Sequence, residues 1–569
     1  MNSCWDEVTE GRRQIILIGG EPGIGKSRLV SELAMSARET GATVLGGFCE
    51  RDYPRPYQPF AHALDALGLE EAGFPGWGSS TQATARHRLF ASVADLLTTV
   101  AEETVVALIL EDLHWARQPT LQLLEYLARH IHKGRLMIVA TFRPPPRASA
   151  TELQDTLVEI HRHPGVTRID LGGLSLDDIT EYLMFELHRS RRDVLETAMT
   201  LHDVTGGNPF YLRELWRSTS ALTPAEKEGS ALEDLPLTVG DAIRSRLAAT
   251  PPRTMDILAK AAVLGSQIRP DLVSAVYGAN ARDTAQALDN AAGLGITAKT
   301  GRGQYVFNHD LTRQAILDGV SDTDLSGLHE QAATYLSKRP DFVSTNPGTV
   351  AHHYASAGGH DDQAARFYEL AGDHAELSLA YEDASAHFES AVRHASDPHE
   401  VDRLTIRAAE NTLKASRFAL AAEMFNRVAD SADPDFRARG AIGMIEATWR
   451  PGRLGHEAAA RLVQARRGLG AAEHSAIGVE LRCYLALALG YAGSHEAAEE
   501  IGASALEDAR ELGDIKLEAK ALLYPTMTSP GFGTELYERV QEAYRLAVAS
   551  GDVNLIGQAA YIRGSLGYV

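Results

Sequence analysis

The chain has 569 residues, 44% apolar and 7% aromatic, with 55 Lys and Arg against 76 Asp and Glu for a net charge of −21. That apolar share excludes wholesale disorder, and the length calls for several domains rather than one core. The negative balance excludes broad nucleic-acid binding, which needs clustered Lys and Arg.

Cys4, Cys49 and Cys483 lie far apart and make neither a CxxC pair nor a disulfide framework, so a reducing compartment is expected. The first eight residues lack the basic-then-apolar layout of a signal peptide. The longest apolar runs, such as 105–110, fall far short of the ~18 residues of a membrane span. These features predict a cytoplasmic protein without membrane contact.

Short aliphatic runs bounded by polar or Gly residues predict buried strands at 15–18, 42–45, 105–110, 136–141 and 166–171. Helical patterns separate them, as at 27–37, and such alternation implies a parallel sheet covered on both faces. After the first strand comes Gly20-Glu21-Pro22-Gly23-Ile24-Gly25-Lys26-Ser27, which fits G-x-x-x-x-G-K-[ST]. The glycines let backbone N–H groups face phosphates. Lys26 has the reach for β- and γ-phosphate oxygens, and the Ser27 hydroxyl is suited to Mg²⁺. The helix opening at Ser27 and Arg28 adds its positive dipole end.

The third strand ends in Glu111-Asp112. Glu111 is the candidate on the metal side and Asp112 the candidate for positioning the attacking water. The order reverses the more familiar Asp-Glu, so the two roles are open to exchange. The fourth strand ends in Thr141-Phe142-Arg143. Arg143 is a candidate γ-phosphate sensor, because a guanidinium matches phosphate oxygens bidentately. Its alternative is a surface Arg ahead of the Pro144-Pro145-Pro146 loop.

From 175 to 221 the pattern is helical, with Ser175 as N-cap for a helix at 176–187. A polar, Pro-containing stretch at 223–236 predicts a linker. Four helical patterns follow in 237–320, with a hairpin of 296–300 and 305–308 around Gly301-Arg302-Gly303, which together suggest a winged helix. The candidate reading helix, 283–294, carries Asp283 and Asp289 with Arg282 just before it, so direct DNA contact is not expected.

Beyond about 325 the chain is helical and Ala-rich. Four similar segments place alanines at 384, 421, 458 and 497, at spacings of 37, 37 and 39, with a larger residue four positions later. A period near 34–40 predicts stacked helical hairpins of the tetratricopeptide type. The window 351–400 holds 2 basic and 10 acidic residues and reads as an exposed solenoid face. His352, His353 and the 360–362 loop are expected to be solvated, with no metal beyond Mg²⁺.

Gly19 to Leu29, Leu110-Glu111-Asp112-Leu113-His114-Trp115-Ala116 and Gly207-Asn208-Pro209-Phe210-Tyr211-Leu212 resemble the signature stretches of STAND-class P-loop ATPases. The group most similar is the large ATP-binding LuxR-type regulators and cyclase-linked relatives of actinobacteria. Pro56-Tyr57-Gln58-Pro59-Phe60 and Tyr305-Val306-Phe307-Asn308-His309 also look like that group. The resemblance implies a multidomain α/β plus α chain with an AAA-like parallel-sheet core, a helical lid, a winged helix and a tetratricopeptide-like solenoid. The expected bounds are 1–172, 173–222, 236–322 and 325–569.

By position, the resemblance puts Pro209 where a lid proline packs on adenine. It puts His309 where a winged-helix histidine lies near the β-phosphate of ADP, although a satisfied structural histidine is the favoured reading of that residue. It implies ATP/ADP and Mg²⁺ as cofactors, weak ATPase activity, an inducer or partner protein at the repeats, and nucleotide-dependent self-association. The chain departs from the family in Arg117, where an acid is usual. Only a short segment precedes the first strand and no C-terminal helix-turn-helix is visible, so the chain is expected to be a fragment, a miscalled start or one piece of a split gene. The leading expectation is an ATP-dependent signalling switch in a transcriptional regulator. A DNA-associated AAA motor and a scaffold with an inactive nucleotide site are the alternatives.

Overall fold

Aliphatic runs too short for helices and buried on both faces become parallel strands. In the computed structural model these are β1 (Gln14–Gly20), β2 (Thr43–Phe48), β3 (Val106–Glu111), β4 (Leu136–Phe142) and β5 (Val166–Leu171). They form one sheet in the order β2-β3-β4-β1-β5, with register pairs such as Leu17 with Ala140 and Leu108 with Ile138. The crossover places β4 between the phosphate-loop strand β1 and the acid-bearing strand β3. Residues 2–50, 55–67, 82–144, 152–219, 239–300, 303–449, 457–529 and 533–566 are described. The expected linker at 223–236, Pro145, Pro146 and the Gly301-Arg302 part of the hairpin turn lie outside them.

The described chain divides into two compact units. One holds 1–75 and 89–360, and the other holds 76–88 and 361–569. In the first unit, α1 (Asn2–Thr9) precedes β1, and its Val8 is fully buried against Ile16 and Ile18. Helices α2 (Lys26–Glu39), α3 (Gln58–Asp65), α5 (Gln118–His130), α6 (Glu152–His161) and, from residue 89 onward, α4 (Gln82–Glu103) connect the strands. The buried Arg13 guanidinium donates to the carbonyls of Ile131 (2.7 Å) and Ala128 (3.0 Å), satisfying the end of α5.

The lid comprises α7 (Leu176–Leu187), α8 (Arg191–Thr205) and α9 (Pro209–Thr219). Ser175 and Asp178 form a capping box at the start of α7, as the N-cap reading anticipated. Ile179, Leu183, Val194, Ala198, Leu201, Leu212 and Leu215 build the lid's own core.

The winged helix holds α10 (Val239–Ala248), α11 (Pro252–Leu264), α12 (Pro270–Tyr277), α13 (Ala281–Gly293) and α14 (Asp310–Asp318). Its wing has three strands in the order β6-β8-β7: β6 (Gln267–Ile268), β7 (Thr297–Thr300) and β8 (Gln304–Phe307). Two residues are too few for a period, so β6 was not legible in the sequence. Asn280 caps α13 by accepting from the backbone N–H of Arg282 and Asp283, so Arg282 lies in the helix's first turn rather than before it.

Helices α15 (Asp322–Leu336), α16 (Pro340–Thr345) and α17 (Pro347–Ala357) complete this unit. Here the expectation of a solvated His353 is corrected, while His352 is partly exposed. His353 is 0% exposed, and its Nδ1 lies 2.9 Å from Nδ1 of buried His329. Periodicity on α17 alone did not reveal that α15 covers this face.

Burial pushes both histidines down, His329 to about 4, with Arg313 and His352 adding repulsion at His329. A neutral pair in the fold becomes charged on unfolding below pH ~6.5, so its contribution is complete above that pH and lost as pH falls toward 4. Urea stability between pH 7 and 5 is therefore expected to fall more steeply in the wild type than in a His329→Phe/His353→Leu variant. Each group contributes about 1.4 kcal/mol per pH unit. Equal slopes would refute the assignment.

The second unit is a helical solenoid of α18 (Asp361–Leu377), α19 (Tyr381–His394), α20 (Pro398–Lys414), α21 (Phe418–Val428), α22 (Pro434–Trp449), α23 (Glu457–Leu469), α24 (Ala476–Tyr491), α25 (His495–Leu512), α26 (Ile515–Thr526), α27 (Thr534–Ser550) and α28 (Val553–Leu566). Ala384, Ala421 and Ala458 are buried at the helix crossings, followed by buried Phe388, Phe425 and Leu462. Phe388 lies so close to α18 that a Cβ on Gly372 would stand 2.6 Å from its ring.

The fourth segment is phased one residue later than its sequence alignment. Ala498 is buried while Ala497 is only half-buried, and Gly502 takes the place of the larger residue. Pro525 on α26 fills the space over Gly502, so no bulky side chain fits there.

Among the described residues no helix is long and apolar enough to cross a membrane, and no group of three or more His, Cys, Asp or Glu is arranged to hold a metal ion.

Candidate functional site

The sheet's carboxyl edge brings the ends of β1, β3 and β4 together. The loop after β1 turns through Gly23 (φ +78°) and Gly25 (φ +107°), a left-handed backbone that glycine adopts without strain. Helix α2 begins at Lys26 with Gly25 as N-cap and no side-chain cap, which leaves its first N–H groups for an anion. Gly20 ends β1, and Ile24 packs back over it.

Lys26 is buried, and its Nζ donates to the carbonyls of Gly20 (2.7 Å) and Glu21 (2.9 Å). Burial holds its pKa below the ordinary lysine value, and Asp112 opposes that shift. Ser27 is exposed at the first turn of α2. Arg28 points along α2 to an ion pair with Glu32 at 2.5 Å, away from the loop.

The two acids differ in their neighbours. Glu111 is raised by burial, while a hydrogen bond from the Ser27 hydroxyl works the other way. Asp112 adopts φ +59°, and its backbone N–H donates to Thr141 Oγ1 at 2.9 Å. Burial raises its pKa, and Arg143 and then Lys26 pull it down. The fork of Arg143 lies 5.9 Å from the centroid of the Trp115 ring, a cation–π distance. Glu111, Asp112, Lys26, Ser27 and Arg143 thus belong to one electrostatic site.

The lid reaches the phosphate loop directly. Asn208 Nδ2 donates to the carbonyl of Pro22 at 2.9 Å, and Phe210 N–H donates to the carbonyl of Gly23 at 3.3 Å. A Cβ on Gly23 would stand 2.5 Å from Phe210 Cβ, so the glycine is needed for space as well as for its φ. Pro209, half-buried, opens α9 beside these contacts.

His309 of the winged helix stacks on Phe210 with ring centroids 4.1 Å apart, and its Nδ1 accepts from Leu311 N–H to cap α14. Burial, then Arg143, press its pKa down to about 4, so it is neutral at pH 7. His309 is thus a structural cap that lies within electrostatic reach of Arg143 and Lys26.

Asn208, Phe210, Thr141 and Trp115 were not singled out as site residues. All but Thr141 sit inside the quoted signature stretches, but their partners are far off in sequence, as Asn208 and Pro22 are by 186 residues. The residues present fit a nucleoside triphosphate with Mg²⁺. The cradle has uncapped helix N–H groups, a lysine beside it, and a hydroxyl next to a carboxylate.

Residues 1–139 match the AAA ATPase domain family, so the chain contains an AAA-type ATPase domain. An uncharacterized protein of Rhizobium meliloti (strain 1021) is 23% identical over 404 residues, which are 63% of this chain and 38% of that protein. The chain thus spans about two fifths of the length of this curated relative. A Signal Transduction ATPase with Numerous Domains (STAND) protein with a tetratricopeptide repeat sensor from Pyrococcus horikoshii superposes with a TM-score of 0.44. It is 17% identical, and the match covers 100% of this chain and 80% of that one. A RuvB variant of Thermotoga maritima superposes with a TM-score of 0.23 at 14% identity, over 52% of this chain and 84% of that one.

Proposed function

We propose that the chain is an ATP-binding, slowly hydrolysing signal-transduction switch of the STAND class, working within a transcriptional regulator that resembles the LuxR-type group. The observation that carries this reading is the convergence of three elements on one loop. The core supplies Lys26 and Ser27, the lid holds Pro22 and Gly23 through Asn208 and Phe210, and the winged helix stacks His309 on that same Phe210. A change in phosphate contacts is therefore felt by both outer elements, which is what a nucleotide switch requires.

In this reading Lys26 and the α2 N–H groups hold the phosphates. Ser27 with Glu111 holds Mg²⁺, since their side chains already share a hydrogen bond. Asp112 orients the attacking water, and Arg143 senses the γ-phosphate from β4. When bound there, Mg²⁺ would supply charge neutralisation to the phosphates. Pro209 faces the base, and the divisions of labour follow 1–172, 173–222, 236–322 and 325–569. The repeats receive an inducer or partner protein, and self-association follows the nucleotide state.

The test is to identify the nucleotide retained by purified protein and to measure mass with and without ATP-Mg²⁺. Retained ADP in a monomer that assembles on ATP-Mg²⁺ is the expected result. Absence of retained nucleotide together with no thermal shift on ATP-Mg²⁺ would refute the switch and favour a scaffold.

A further inference from the structure

Asp112 leaves β3 at φ +59°, a left-handed backbone that is uncommon outside glycine and turns the chain sharply. A single 3₁₀ turn, Leu113–Trp115, follows it. Leu113 anchors this turn at 0% exposure, and Trp115 N–H donates to the Asp112 carbonyl at 2.9 Å. The turn packs against β4, and the bond from Asp112 N–H to Thr141 Oγ1 ties the two strand ends together. The acid and the indole are thus carried on one corner.

Arg143 faces that corner from β4. Thr141 and Phe142 before it are each 1% exposed, and Pro144 after it disfavours a helical backbone at Arg143. Its side chain is therefore the part that can move. Among the described residues the guanidinium has no carboxylate within 4.0 Å and no hydrogen-bond acceptor. Instead it lies over the half-buried Trp115 ring, 5.9 Å from the centroid. The same ring meets His114, with centroids 4.8 Å apart, and His114 Nδ1 lies 3.8 Å from Asp112 Oδ1. Contacts therefore run from the acid through two rings to the arginine. A cation–π contact is weaker than the paired, charge-assisted hydrogen bonds that a guanidinium makes with phosphate. A phosphate oxygen within reach of the fork outcompetes the ring.

We propose that Trp115 is a positioning residue: its ring parks the Arg143 fork while no γ-phosphate is present and releases it when one is. Because the ring and Asp112 share one corner, the parked fork stays beside the site instead of turning to solvent. The proposal rests on the reading that this loop binds ATP. It adds that the indole distinguishes a triphosphate from a diphosphate.

The test is tryptophan emission and calorimetric affinity of the full chain with ADP-Mg²⁺ and with the non-hydrolysable AMP-PNP-Mg²⁺. Subtracting the spectrum of Trp115→Phe removes the emission of Trp5, Trp77, Trp216 and Trp449 and leaves that of Trp115. This contribution should differ between the two nucleotides, and in an Arg143→Gln background it should not. Trp115→Leu should bind AMP-PNP about threefold tighter than wild type, since no ring contact has to be given up. Its ADP affinity and circular dichroism should be unchanged, and Trp115→Phe should fall between the two. A merely structural indole would instead weaken both nucleotides alike, which would overturn the proposal. So would a Trp115 emission that is identical with both nucleotides, or a difference that persists without Arg143. Should Trp115→Leu fail to fold, the emission arms decide alone. Wild type that binds neither nucleotide would overturn the ATP reading and this proposal together, whereas binding of both with identical emission overturns the proposal only.

Discussion

Replacing Lys26 with Ala should abolish measurable ATP binding while leaving the fold intact. The Nζ group already donates to two carbonyls of the phosphate loop, and it is the buried cation of the site. Hydrogen bonds to charged groups contribute about 1.5–3 kcal/mol each. Losing two of them to phosphate oxygens should weaken binding by at least ~100-fold, or about 3 kcal/mol. The variant also loses a buried hydrogen bond to the Gly20 carbonyl and a part-buried one to Glu21, so its own midpoint without nucleotide is the reference. The measurement is the thermal midpoint with and without ATP-Mg²⁺. Wild-type protein should shift upward, and Lys26→Ala should not. An undiminished shift in the variant would remove this loop from the nucleotide site.

Arg482→Met should destabilise the solenoid by about 3–5 kcal/mol, the usual cost of stranding one half of a buried ion pair. Arg482 is 1% exposed on α24, and its guanidinium pairs with Asp508 on α25, donates to Ser504 Oγ at 2.8 Å and donates to the Glu473 carbonyl at 3.2 Å. Removing it leaves the Asp508 carboxylate with His474 as its remaining ion-pair partner among the described residues. The double variant Arg482→Met/Asp508→Leu should recover a large part of the loss, since neither charge is then stranded. Urea unfolding followed by circular dichroism measures both. A single variant within about 0.5 kcal/mol of wild type would show that the pair is not structural.

The phosphate site was legible because its chemistry is local. Glycines, Lys26 and Ser27 must follow one another within eight residues, and a strand and a helix must flank them. The same holds for Glu111 and Asp112 at the end of an aliphatic run. What surrounds the loop was not legible in this way. Asn208 and Phe210 act on it from the lid, and His309 joins through Phe210. Which acid lies beside Ser27 depends on how β3 sits against the first turn of α2, and the hydrogen bond that favours Glu111 appears only in three dimensions.

By itself the sequence determined the five strands, the phosphate loop, the Ser175 cap and the recurrence of helical hairpins. Each is governed by patterns that span one or two turns or a single strand. Only the tertiary structure decided the burial of His353 against His329, the phase of the fourth repeat segment, and the fate of the charges behind the net −21. Burial, steric fit and ion pairing depend on the partner element, and the partner lies tens to hundreds of residues away. Composition counts charges, whereas folding determines which are neutralised by a neighbour, as Arg482 is by Asp508.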